Sequence, residues 1–272
     1  MTPRPGRSPA ADPVLVVGFP KAGTTALAAL LTQHPGVSGG LEKEDWSLYP
    51  SIWERRPAQD DEVTAFLEHL DRDDRRRGLD AAPWNVLLDP GSVDRLLERA
   101  PDLHVLATVR DHDARIRSNH RFAKQIGFFR GSDLDTFVTA NLDGHEHGAW
   151  FRPGHSDGAH LSIGLYGARL EHWADRCGPR LAIVHADALR GEAALDAMAR
   201  IHDWLGLDPH VVTPGEWNVT QDADRSAGTE PDRLSPETEG RLGALLAADR
   251  PRFEECLDRA GLTIGRPEGV YG

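Results

Sequence analysis

A lysine, two threonines and two glycines lie together in the run GFPKAGTT, which covers residues 18–25. Gly18 and Gly23 allow the main chain to approach an anion closely. Lys21 adds a cation, and Thr24 and Thr25 add hydroxyl donors at the start of a segment rich in helix formers. Because a helix N-terminus also favours negative charge, this run predicts a phosphate-binding loop.

The order of residues separates this loop from the phosphate loop of ATPases. That loop has lysine directly after its second glycine, whereas Lys21 precedes Gly23. The run resembles instead the 5′-phosphosulfate loop of sulfotransferases that use 3′-phosphoadenosine 5′-phosphosulfate (PAPS) as co-substrate. The resemblance implies that Lys21 neutralises the bridging oxygen as the product, adenosine 3′,5′-bisphosphate (PAP), leaves. It also implies that the co-substrate is bound by Pro20, Lys21, Ala22, Gly23, Thr24 and Thr25.

Arg110 and Ser118 form a second candidate anion site. Arg110 directly follows an apolar run, and Ser118 lies eight residues later in a polar segment. A guanidinium at a strand end and a hydroxyl from the next helix suit a phosphate. This spacing also resembles the family's 3′-phosphate site, although His112 stands where the family usually has proline. Arg225 lies in residues 218–228, where the family has a loop over the nucleotide; it is either a further 3′-phosphate ligand or a solvated arginine.

The general base is expected just after the first helix, where the sequence reads EKEDWSLY. It resembles the Lys-Glu followed by aromatics in the branch of bacterial and carbohydrate sulfotransferases, whose glutamate is the base, and Glu44 is the matching residue. A carboxylate beside lysines stays ionised at pH 7, as a base must. Glu42 and Asp45 remain alternatives. Other sulfotransferases use a histidine, so four histidines near the candidate pocket also remain open: His112, His120, His155 and His160.

Further positions extend the resemblance over residues 14–217. The pattern Gly-x-Tyr at Gly164 and Tyr166, followed by Leu170 and Trp173, is similar to that of the same branch. Relatives often carry a polar or basic residue before the proline at Pro83, where this chain has alanines. The resemblance therefore implies transfer of a sulfuryl group to a hydroxyl of a small molecule (a secondary metabolite, sugar or lipid) rather than of a sulfated polysaccharide.

Strands that alternate with helices must position these residues. Apolar β-branched runs predict strands over 14–18, 85–88, 104–109 and 181–184, and helix formers predict helices over 26–33, 92–100, 113–125, 193–205 and 236–260. Such alternation predicts an α/β fold: a central, mostly parallel sheet flanked by helices. The resemblance implies the sulfotransferase variant of the P-loop nucleotide kinase fold. We expect mostly helical insertions at 51–77 and 133–173 and a long loop at 218–230.

Length and composition narrow the classes of protein. We expect one domain over residues 14–272 after a disordered leader, 1–13, in a chain of 272 residues. A net charge of −12 argues against nucleic acid as the partner. Because the sequence has no long apolar run, we expect no membrane span. Because Cys177 and Cys256 lie far apart, we expect no disulfide and no metal site, which suits a cytoplasmic enzyme. A homodimer is one expected assembly. A noncatalytic nucleotide-binding protein and a P-loop-type phosphotransferase remain alternatives.

Overall fold

The strands form one sheet in which every neighbouring pair is parallel. The computed structural model describes residues 12–39, 44–70, 77–129, 133–150, 159–215 and 233–271. Within them the strand order is β2-β3-β1-β4-β5-β6. The strands are β1 (Val14–Gly18), β2 (Val37–Gly39), β3 (Arg77–Asp80), β4 (His104–Val109), β5 (Leu181–His185) and β6 (Leu262–Ile264).

The central strands are mostly apolar because both faces of the sheet are covered. All of β1 is buried, and it pairs with β4 from Val14 opposite His104 to Gly18 opposite Thr108. Side chains of β1 alternate between two cores, with Leu15 in one and Val16 in the other. The predicted strands at 14–18, 104–109 and 181–184 are thus confirmed, the last one residue longer than expected.

Helices cover both faces of this sheet. The face that contains Val16 is covered by α1 and α9, and the opposite face mainly by α3, α4, α8 and α10. The helices are α1 (Thr24–Leu31), α2 (Tyr49–Glu54), α3 (Asp60–Leu70), α4 (Pro90–Arg99), α5 (His112–Gln125), α6 (Leu134–Glu146), α7 (His160–Ile163), α8 (Tyr166–Cys177), α9 (Ala193–Trp204) and α10 (Pro236–Arg259). The α/β fold predicted from the sequence is confirmed, including the five predicted helices within one or two residues at nearly every end.

The strand predicted at 85–88 is wrong. A 3₁₀-helix, Pro83–Leu87, occupies this region, and the strand before it is β3. Pro83 begins the 3₁₀-helix, and the Asp80 carboxylate accepts hydrogen bonds from the Ala82 main chain and the Asn85 side chain, which turn the backbone away from the sheet. The apolar run is still buried. Its pattern therefore predicted burial correctly, but the prediction of a strand was wrong.

The segments predicted as helical insertions contain α2 and α3 in the first and α6, α7 and α8 in the second, although the first ends in β3. The leader lies outside the described residues apart from Asp12 and Pro13, and so does the loop predicted at 218–230. None of the helices in the described ranges is both long and apolar enough to cross a membrane.

Candidate active site

The predicted phosphate-binding loop connects β1 to α1 and is shaped by main-chain geometry. Lys21 and Gly23 both have positive φ, at 70° and 98°, and the Ala22 amide donates to the Phe19 carbonyl at 2.9 Å. Gly23 is the residue before α1, and no side chain in the described residues caps that helix. The first amides of α1 therefore point toward the concave side of the loop, as in anion sites at helix N-termini.

Gly18 shows why the strand must end in glycine. A Cβ at this position would lie 2.5 Å from Thr108 Oγ1 and 2.6 Å from Thr24 Cγ2. The missing side chain lets β1, β4 and the start of α1 approach one another. Thr24 is buried at this junction, whereas Pro20, Lys21 and Thr25 are half-buried at the surface of the loop.

Arg110 lies beside this loop. It follows β4, the strand next to β1, and its Nη1 donates to the Lys21 carbonyl at 3.4 Å. After β1 the chain continues to strands on one side of the sheet, and after β4 it continues to strands on the other side. Lys21 and Arg110 therefore flank the crevice between β1 and β4, where ligands bind in open parallel sheets. Burial lowers the pKa of Arg110, but a guanidinium keeps its charge at neutral pH.

Tyr166, at the start of α8, fixes the main chain of Arg110. Its hydroxyl donates to the Arg110 carbonyl at 2.6 Å and accepts from the Arg110 amide at 3.2 Å. Ser118 lies in α5, buried, two turns beyond the Asp111 carboxylate that caps this helix. The sequence indicates Tyr166 only through the Gly-x-Tyr pattern, and its contact with the Arg110 main chain is visible only in the structure.

Lys21 contacts Phe122, which lies one turn after Ser118 on the same face of α5. Its Nζ lies 4.5 Å from the centroid of the Phe122 ring, a cation–π distance. Phe122 is 39% exposed, which is unusual for phenylalanine beside a polar loop. The mouth of the candidate site therefore has an apolar wall next to its lysine.

Glu44 lies on the other side of β1, in the segment that follows β2. Its Oε2 is 3.5 Å from the hydroxyl of Tyr49, and the Trp46 ring packs at a tilt on Tyr49 with ring centroids 4.2 Å apart. The pKa of Tyr49 is raised, chiefly by burial and then by the charge of Glu44. Tyr49 is therefore neutral at physiological pH and can donate to the Glu44 carboxylate.

Asp45, the neighbouring acid, has its side chain occupied. Its Oδ1 accepts from the Ser47 amide at 2.8 Å, and its Oδ2 lies 3.5 Å from His69 Nδ1. Because both carboxylate oxygens have partners, this geometry favours Asp45 less than Glu44 as the general base. Glu42, the other acidic alternative, lies outside the described residues, as does Arg225.

Three of the candidate histidines pack inside the protein. His112 stacks on Tyr166 at 4.3 Å, and burial lowers its pKa to about 2. His120 lies between Phe129 and Phe137, with ring centroids 5.7 and 5.3 Å away. Burial likewise lowers the pKa of His160 to about 4. Their surroundings favour a packing role, and His155 lies outside the described residues.

Comparisons with known proteins agree with this fold. Residues 13–82 match the sequence model of the sulfotransferase family. The fold matches the crystal structure of a sulfotransferase from Alicyclobacillus acidocaldarius with a TM-score of 0.69 and 18% sequence identity, over 92% of this chain and 97% of that one. No curated protein has detectable sequence similarity to the chain. The match and the fold confirm the resemblance to the sulfotransferase family that the motifs indicate.

Proposed function

We propose that this protein is a PAPS-dependent sulfotransferase that transfers a sulfuryl group to a hydroxyl of a small organic acceptor. The observation that carries the proposal is the 3.4 Å contact between the Arg110 guanidinium and the Lys21 carbonyl. It brings an arginine for one phosphate next to a main-chain cradle for another, as a nucleotide with phosphates on both sides of its ribose requires.

In this proposal the chain supplies position and charge rather than covalent chemistry. The acceptor oxygen attacks sulfur in line while the bond from sulfur to the bridging phosphate oxygen breaks. The electron pair stays on the 5′-phosphate, where Lys21 and the amides at the start of α1 stabilise it. Glu44 takes the acceptor proton, and the products are a sulfate ester and PAP. Arg110 and Ser118 hold the 3′-phosphate, with Arg225 as a further proposed ligand.

The surroundings of the site support a small acceptor. Trp46, 52% exposed, and Phe122 place apolar surface beside Glu44 and Lys21, and Ala81 and Ala82 are buried where relatives often carry a polar or basic residue. These features favour an acceptor with an apolar part, such as a lipid or a secondary metabolite. Both cysteines are buried and unpaired, in keeping with the reducing cytoplasm that we propose as the location.

Calorimetry with PAP and with ATP tests the proposal. We expect PAP to bind and ATP, which lacks the 3′-phosphate, to bind at least tenfold more weakly. Equal affinity for the two nucleotides, or tighter binding of ATP with Mg²⁺, would favour a phosphotransferase instead. If PAP binds and no acceptor in a broad panel of hydroxyl compounds is sulfated from PAPS, the noncatalytic alternative is favoured.

A further inference from the structure

The Asp80 carboxylate, at the end of β3, joins three parts of the chain. Its Oδ1 accepts from the Asp45 amide at 2.8 Å, and its Oδ2 accepts from the Ala82 amide at 3.1 Å and from Asn85 Nδ2 at 2.8 Å. The side chain is fully buried. A buried carboxylate is costly unless its oxygens are hydrogen-bonded, so this arrangement is maintained by its three donors.

The Asp45 amide belongs to the segment that carries the proposed base. Residues 44–49, here called the base segment, run from Glu44 to the first residue of α2. The Asp45 side chain contacts Ser47 and His69, and the Tyr49 ring packs on Trp46. Asp80 therefore contributes the main-chain contact next to Glu44, while the other contacts fix the remainder of the segment.

We propose that Asp80 is a positioning residue that fixes the base segment against the sheet, so that Glu44 faces the acceptor hydroxyl. This role rests on the proposed function of Glu44. Asp80 does not take part in proton transfer, because both of its oxygens are bonded within the protein and its side chain is enclosed.

The charges around Asp80 make this contact sensitive to pH. Burial, with a smaller contribution from the nearby acids Asp45 and Glu44, raises its pKa to about 7, although the hydrogen bonds from the Asp45 and Ala82 amides act to lower it. Tyr49, from α2, is neutral, and His69, from α3, faces Asp45. Protonation near neutral pH weakens the acceptor for the Asp45 amide, so the base segment is held most firmly above pH 7.

Asp80→Asn is the central test. Asparagine keeps the shape but turns one acceptor oxygen into a donor, which then faces either the Asp45 amide or the donors from Ala82 and Asn85. We expect kcat with PAPS to fall roughly 10- to 100-fold, as for a misplaced catalytic group, while KM for PAPS and the affinity for PAP change less than twofold. Hydrogen exchange of the Asp45 amide, followed by NMR, is expected to become at least tenfold faster. Unchanged kcat together with unchanged exchange would overturn the proposal.

Asp89→Asn is the matched control. The Asp89 carboxylate also accepts two main-chain amides, at the start of α4, from Gly91 and Ser92, and has no bond to the base segment. We expect a similar loss of stability with kcat and Asp45 exchange unchanged. An equal fall in kcat in both variants would show that general destabilisation, not positioning, lowers the rate.

A measurement on the unmodified protein covers the case in which Asp80→Asn does not fold. In the unmodified protein the Asp45 amide is expected to exchange roughly tenfold or more slowly than a main-chain amide without an acceptor, because Asp80 Oδ1 accepts its hydrogen bond. Exchange at the rate of an unprotected amide would overturn the proposal. Failure of the proposed function gives a different result. If the unmodified protein does not bind PAP, the sulfotransferase assignment fails, but exchange of the Asp45 amide still decides whether Asp80 holds the base segment.

Discussion

The two sides of β1 are built in different ways. On the β4 side, the predicted phosphate-binding loop directly follows β1, and Arg110 directly follows β4. The shape of the loop is set mainly by its main chain, which has positive φ at Lys21 and Gly23. On the β3 side, Glu44 depends on side chains from distant parts of the chain, above all Asp80. The difference teaches that the loop of the proposed nucleotide half is set by local sequence, while the proposed acceptor half is set by tertiary contacts.

The change expected to have the largest effect is Lys21→Ala, on the nucleotide side. Loss of the cation at the bridging oxygen should lower kcat roughly 10³-fold, as for removal of one charge-stabilising group, while PAP still binds through Arg110 and the loop amides. PAP release from PAPS measures the rate once an acceptor has been found by screening. Lys124→Ala, at an exposed position near the end of α5, is the control and should keep full activity. Normal turnover by Lys21→Ala would contradict the assignment.

On the acceptor side, Glu44→Gln should lower kcat about 10²-fold or more, because general base catalysis contributes 10²–10⁴. The affinity for PAP, measured by calorimetry, should stay the same, since Glu44 lies across β1 from Arg110. Glu54→Gln, at the exposed end of α2, provides a carboxylate control. A normal rate in Glu44→Gln would exclude Glu44 as the base and break the division between the two sides.

Arg110→Ala should mainly weaken nucleotide binding. Hydrogen bonds to charged groups contribute about 1.5–3 kcal/mol, so the Kd for PAP should rise roughly 10- to 100-fold. Adenosine 5′-monophosphate, which lacks the 3′-phosphate, should lose much less affinity. Arg176→Ala, whose arginine pairs with Asp94 between α8 and α4, is the remote control. Equal losses for both nucleotides would show that Arg110 does not bind the 3′-phosphate.

Sequence reasoning succeeded where a structural feature is contained in one stretch of chain. The run from Gly18 to Thr25 predicted strand, loop and helix together, and the spacing from Arg110 to Ser118 predicted a residue at a strand end and another on the next helix. It failed where contacts join distant residues: Asp45 and Asp80 are 35 positions apart, and Arg110 and Tyr166 are 56 apart. No local pattern reports such pairs.

The errors in the predicted strands have two other causes. β2 and β6 are only three residues long, too short for an alternating pattern to be visible, and β3 contains a glycine and two charged residues. The apolar run after β3 was predicted as a strand because its burial could be seen in the sequence, while the hydrogen bonds of Asp80 that bend it could not.

Substitution of His112 is expected to have the smallest effect. It tests whether this residue supports the nucleotide side of β1 by packing alone. Its ring lies against Tyr166 and Tyr271, and neither ring nitrogen has a hydrogen-bond partner in the described part of the chain. Burial lowers its pKa to about 2, with the charge of Arg115 as a second cause. Below pH 6.5 the unfolded chain binds a proton here that the folded protein does not, so His112 lowers stability as the pH falls.

His112→Phe should keep the packing on Tyr166 and remove this pH dependence. Between pH 7.5 and 5.5 the unmodified protein should lose about 1.4 kcal/mol more of its free energy of unfolding than the variant does. The other histidines with lowered pKa act in the same direction in both proteins and cancel in the difference; they are His104, His160, His172 and His202. Urea unfolding at the two pH values measures it. Parallel losses would mean that His112 is not held neutral, and a collapse of turnover with unchanged stability would return it to the candidates for the base.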